Sequence, residues 1–239
     1  MILLRPYSFI PMLLFWVFAP LEIGLGRALL WTVVAYGVAF AAELGSVSVG
    51  FPFGWYFYVQ SPTQWREFWV HGVPFFDSMS FIFLSYWTFI SALWITGEKQ
   101  VFSRKAPFPW RTILVGAFLM MAADIVIDPI ALRGENWFLG TIYGYPFWGP
   151  YFGITYENFL GWWLVGFAIV FCFLTLTRLF NSPRRTAPTQ SWIAPSLWMA
   201  TVAFNIGIAI YLREWTLVVC DFVLMLPIFF ILSRKIYAR

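Results

Sequence analysis

The sequence predicts an all-α membrane protein, a polytopic bundle of about seven transmembrane spans with its N-terminus out and its C-terminus in. Three observations carry this prediction. The 239-residue chain is 61% hydrophobic and 23% aromatic but only 11% charged, a balance foreign to soluble single domains. Apolar runs of about 20 residues, the length that crosses roughly 30 Å of hydrocarbon, recur along the whole chain. The net charge of +4 comes from basic residues gathered at the ends of those runs, which is a topology signal rather than a nucleic-acid footprint.

The runs lie near 7–24, 28–49, 76–96, 112–132, 158–180, 192–212 and 215–233. The first is short and carries Pro11 and Pro20. No small-residue cleavage site follows it, so it reads as a retained helix rather than a signal peptide. The sixth and seventh are joined only by Arg213 and Glu214, a tight hairpin. Lys99, Arg104, Lys105 and Arg111 lie between runs three and four, and Arg178, Arg184 and Arg185 between five and six. Arg234, Lys235 and Arg239 close the chain. With Arg27, these clusters fall on one side of a seven-span chain, the cytoplasmic side; Arg5, Arg66, Arg133 and Arg213 fall on the other. Residues 1–239 therefore read as one integral membrane domain, expected in a prokaryotic plasma membrane. Cys172 and Cys220 sit inside apolar runs and read as packing residues.

The acids behave in the opposite way. Glu43 ends the second run, Asp77 opens the third, Asp124 and Asp128 end the fourth, Glu157 opens the fifth, and Asp221 lies early in the seventh. All map to the outer half of the membrane, as one convergent site would require. Asp124 and Asp128, in "AADIVIDP", are four residues apart and share one helix face. Ionisable side chains within a span are costly and face the bundle interior or water. Two neighbouring carboxylates cannot both ionise easily, so they share a proton, the starting condition for acid catalysis. The structural reading is that Asp128, just before Pro129, caps a turn at the membrane surface. Small residues around Glu43 (Ala41, Ala42, Gly45, Ser46, Ser48) permit close helix approach, although a helix-end carboxylate open to water would look the same. Asp77 and Glu157 are first-turn acids that the helix dipole favours in any case.

Two stretches, "GFPFGWYFYV" (50–59) and "GYPFWGPYFGITYENFLGW" (144–162), are rich in Gly, Pro and aromatic residues. Tyr56 and Tyr58 alternate with apolar residues, which predicts a short extended piece. Such backbone is tolerated at membrane depth only when protein or a cavity surrounds it. Some of these rings form an interfacial belt; their number and nearness to the acids point to a lid over a long apolar ligand. His71 is the single histidine, which excludes a bis-histidine haem and a His-rich diiron centre. No lysine lies within the last run, so seven helices do not imply a retinal Schiff base. P-loop, Rossmann and G-x-S-x-G patterns are all missing, which leaves carboxylates and aromatic rings to carry any chemistry.

The ordered set "ELGSVSVGFPFGWYFY", "HGVPFFDSMSF", "DIVIDPIALRGENW" and "GPYFGITYENFLGW" resembles the CruF family of carotenoid-biosynthesis membrane proteins over about residues 40 to 165. Members of that family are carotenoid 1,2-hydratases, including bisanhydrobacterioruberin hydratases, which add water to the terminal double bond of acyclic carotenoid ends without a redox cofactor. By resemblance, Glu43, Gly50, Pro52, Phe53, Gly54, Tyr56 and Tyr58 match the first motif. Asp124, Asp128 and Pro129 match the second; Tyr151, Gly153, Asn158, Gly161 and Trp162 match the third. The resemblance implies a cofactor-independent hydratase with no metal, acting on a carotenoid or related long isoprenoid lipid in contact with membrane lipids.

Hydration of an isolated alkene proceeds through protonation to a tertiary carbocation and capture of water. The reading assigns Asp124 as acid, Asp128 as its partner and water base, and Glu43 as the alternative for either. Phe53, Gly54, Tyr56, Tyr58, Asp77, Tyr151, Glu157, Asn158 and Trp162 are the expected substrate-binding residues. Three rivals use the same features: an isoprenoid cyclase or isomerase started by the same acid, a non-catalytic carotenoid- or lipid-binding subunit, and a proton-coupled transporter.

Overall fold

A computed structural model describes residues 6–59, 68–180 and 191–237. Arg5, Arg66, Arg184, Arg185 and Arg239, which enter the orientation argument, lie outside the described residues. Seven α-helices dominate: α1 (Pro6–Ile23), α2 (Leu25–Val49), α3 (Met79–Thr96), α4 (Trp110–Ala131), α5 (Tyr156–Leu179), α6 (Ile193–Tyr211) and α7 (Trp215–Tyr237). Among the described residues, α2 to α7 are six helices long and apolar enough to cross a membrane, while α1 is a shorter apolar helix. The third span begins at Met79 rather than near 76, because the backbone from Phe76 to Ser80 is taken up by tight turns closing on Pro74, Phe76 and Asp77 carbonyls.

Helix α3 is the axis of the bundle. Every residue from Phe81 to Trp94 is buried, the pattern of a helix apolar on all sides and enclosed on all sides. It packs against α1, α2, α4, α5, α6 and α7, and α4 packs most extensively on α5 and α3. The outer faces of the surrounding helices carry exposed apolar stripes, such as Leu13, Val17 and Leu21 on α1 and Leu25, Leu29 and Val33 on α2. A soluble monomer hides surface of this extent; in a bilayer it meets lipid.

The two ends of the bundle differ in chemistry. At one end Arg178 is buried against the α3–α4 loop, donating to the carbonyls of Val101 (2.9 Å), Ala106 (3.2 Å) and Pro107 (2.9 Å). Arg104 of that loop donates in return to the carbonyls of Arg178 and Leu179. At the other end Arg133 is neutralised by Glu214 at 2.5 Å and donates to the Pro129 carbonyl.

Short extended pieces replace helix at this second end. β1 (Phe57–Tyr58) pairs antiparallel with β4 (Tyr143–Gly144), and β2 (Trp69–Val70) with β3 (Val73–Pro74). The segment leading to β1 folds back over the helix ends. Phe53 N–H donates to Ser46 Oγ at 2.9 Å. Two glycines make this approach feasible: a Cβ on Gly45 would lie 2.5 Å from the Phe51 carbonyl oxygen, and one on Gly161 would lie 2.6 Å from the Phe53 ring.

Candidate active site

Helices α2 and α4 end, and α3 and α5 begin, at the end of the bundle covered by the β1–β4 ribbon. This alternation brings their terminal polar residues together. Asp124 and Asp128 lie on the inward face of the last turns of α4 and are buried. Asn158, in the first turn of α5, donates both hydrogens of its amide: one to Asp124 Oδ2 at 2.8 Å and one to Asp128 Oδ2 at 2.7 Å. Both bonds have normal hydrogen-bond length, so one amide fixes the spacing of the two carboxyl groups. Opposite them, Ser78 Oγ donates to Glu43 Oε2 at 2.6 Å, and Asp77 and Tyr58 lie beside the same carboxyl group.

Tyrosines join the two acid pairs. The ribbon register sets Tyr58 against Tyr143. The hydroxyls of Tyr56 and Tyr58 are 3.4 Å apart, and Tyr143 and Tyr145 reach the Asp128 carboxyl from the far side. Burial, then the charges of Glu43, Asp77 and Asp128, hold the Tyr56 phenol well above its ordinary 10.0. Burial with Asp77 and Glu43 does the same for Tyr58, and burial with Asp128 for Tyr143 and Tyr145. All four therefore remain neutral hydroxyl donors.

These groups line one end of a cavity of about 620 Å³, within the range of small-molecule sites. Glu43, Asp77, Asp128 and Asn158 supply its polar end, with Tyr56, Tyr58, Tyr143 and Tyr145. Phe53, Phe81 and Trp162 form an aromatic wall, the last two stacked with centroids 4.3 Å apart. Asp124 is fully buried behind Asp128 and does not line the cavity.

The structure thus brings together most of the residues singled out by sequence: Glu43, Asp77, Asp128, Phe53, Tyr56, Tyr58, Asn158 and Trp162 at the cavity, and Asp124 directly behind. It does not bring in Gly54, Tyr151 or Glu157. Gly54, at φ 80, turns the chain where it meets Thr155 and Glu157. Glu157 is exposed outside the cavity. Tyr151 packs edge-on against Phe159 and Phe152 beside the α6–α7 hairpin. Asp221 is also apart, buried with both carboxyl oxygens unpaired among the described residues. Sequence reasoning missed Tyr143, Tyr145, Thr201 and Asn205 as lining residues, and Ser78 as the donor to Glu43.

The fold and site define a polytopic helical membrane protein with an acid-and-tyrosine cluster at one end of an apolar cavity. The family model for carotenoid biosynthesis proteins matches residues 6–228. The chain belongs to that family, which places it in carotenoid biosynthesis. Neither the curated proteins nor the solved structures contain a match to it.

Proposed function

We propose that this protein is a hydratase that adds water across the terminal C1,2 double bond of an acyclic carotenoid end group. The observation that carries this reading is the Asn158-bridged Asp124–Asp128 pair, one member of which faces an apolar cavity walled by aromatic rings. Two carboxyl groups in contact and out of water favour a single shared charge, so the pair holds a transferable proton. Asp128, the member at the cavity wall, delivers it to the less substituted alkene carbon. Asp124, behind it, takes up or returns the proton as a positioning partner.

Proton addition leaves a tertiary carbocation. The faces of Phe81 and Trp162 stabilise it as π-systems stabilise other cations, and the neutral tyrosine hydroxyls provide no anionic nucleophile to trap it. Glu43, held by Ser78 and adjoined by Asp77, orients a water molecule and accepts its proton as the C–O bond forms. Net, one alkene and one water give one tertiary alcohol, and both carboxyl pairs regain their starting charge after proton return. An orientation with this end of the bundle outward, in a prokaryotic plasma membrane, accords with the basic residues gathered at the other end.

Expression in a lycopene-accumulating host, followed by mass analysis of the pigments, tests the proposal. A gain of one or two waters per carotenoid is expected. Recovery of cyclised or isomerised pigment without mass gain would assign the same acid to a cyclase or isomerase instead.

A further inference from the structure

The cavity extends well past the carboxyl groups. It follows α3 along Ser80, Leu84 and Trp87, and is flanked by Pro11 and Leu14 of α1 on one side and Leu197 and Thr201 of α6 on the other. Helices α1 and α6 both pack on α3, but among the described residues neither packs extensively on the other. A slot therefore separates them. Its rim is formed by Ile10, Phe138, Ala200 and Phe204, all exposed and all lining the cavity. Phe138 and Trp137 each approach the Phe204 ring with centroids 6.4 Å apart, giving the rim a set of aromatic faces.

The dimensions limit what fits. The lining stripe of α6 runs from Leu197 to Asn205, about 12 Å at 1.5 Å per residue. The cavity holds the end of a long linear polyene but not its whole length. The rest must leave through an opening, and an apolar chain can leave only into an apolar phase. The exposed rim on the lipid-facing side of α1 and α6 provides that exit.

We propose that the slot between α1 and α6 is a lateral port, open to the bilayer, in which the stem of a long linear isoprenoid lies while its terminal alkene reaches Asp128. This rests on the hydratase reading for the chemistry but not for the binding. The substrate enters sideways from lipid, so the protein selects a long chain with an unobstructed, acyclic end. Ala200, the smallest residue on the rim, sets the free width of the slot.

The test uses the full chain purified from lycopene-accumulating cells, with bound pigment per protein and hydrated product measured side by side. Ala200→Trp should reduce both at least tenfold, and Ala200→Leu, a smaller plug chosen to preserve folding, should reduce both by a smaller factor. Leu13→Trp, on the lipid face of α1 outside the slot, should change neither. Wild-type pigment and product in a folded Ala200→Trp or Ala200→Leu protein would overturn the port. Pigment lost in Ala200→Trp, with the wild type forming no hydrated product, would retain the port and remove the hydratase reading.

Discussion

Glu22 of α1 and Glu43 of α2 are both buried, at 3% exposure each, and both accept a hydroxyl hydrogen bond of 2.6 Å across a helix interface. The donor to Glu22 is Tyr86 of α3; the donor to Glu43 is Ser78, at the start of the same helix. In geometry and chemistry the two pairs are near equivalents. They differ in what lies beyond the acid. Glu43 faces the cavity with Asp77 and Tyr58, whereas Glu22 and Tyr86 are enclosed by packing and touch no part of that cavity. Burial and a short hydrogen bond are common to both acids, so on the proposed reading it is contact with the cavity that sets Glu43 apart.

The largest effect that would sharpen this contrast is expected at Asp128. Replacing it with asparagine removes the proposed proton donor at the cavity wall and should lower hydrated product by about a hundredfold or more, read by pigment mass analysis on protein that retains its gel-filtration profile. Full activity would break the assignment. Asp124→Asn tests the pair as a unit: a loss close to that of Asp128→Asn is expected if, as proposed, one proton serves both groups. Glu43→Gln should cost roughly tenfold, equivalent to about 1.4 kcal/mol of barrier, because water can still enter without an anionic base. Tyr86→Phe should leave product formation at the wild-type level. It should still lower thermal stability, because the loss of one buried hydrogen bond to Glu22 costs about 1 kcal/mol. A tenfold activity loss in Tyr86→Phe would erase the distinction between the two pairs.

The helices were plainly legible in the sequence. The run near 112–132 is α4, Trp110–Ala131, and the run near 192–212 is α6, Ile193–Tyr211, since hydrocarbon thickness fixes span length independently of tertiary contacts. The carboxyl groups were legible because an acid within an apolar run is conspicuous in itself. Tyr143 was not: its place in the site comes from pairing with Tyr58 across roughly 85 residues, and no local pattern announces such a partner. Asn205 and Thr201 were missed for a related reason, since a polar residue on α6 gains meaning only once that helix is seen beside the cavity. Conversely, Tyr151 and Glu157 belong to a stretch rich in site residues, yet a bridge at Tyr151–Ile154 turns the chain before α5 and leaves both outside the cavity. Sequence proximity placed them in the right neighbourhood but not on the right face.

The β1–β4 ribbon also bears on how the protein is made. Its first strand leaves the ribosome long before the second, with α3 and α4 synthesised in between. During that interval Tyr56 and Tyr58 have no opposing strand, and the aspartates of α4 have not yet met Asn158. The pocket is thus a product of late assembly: a nascent chain halted before residue 143 lacks both the second strand of the ribbon and Asn158.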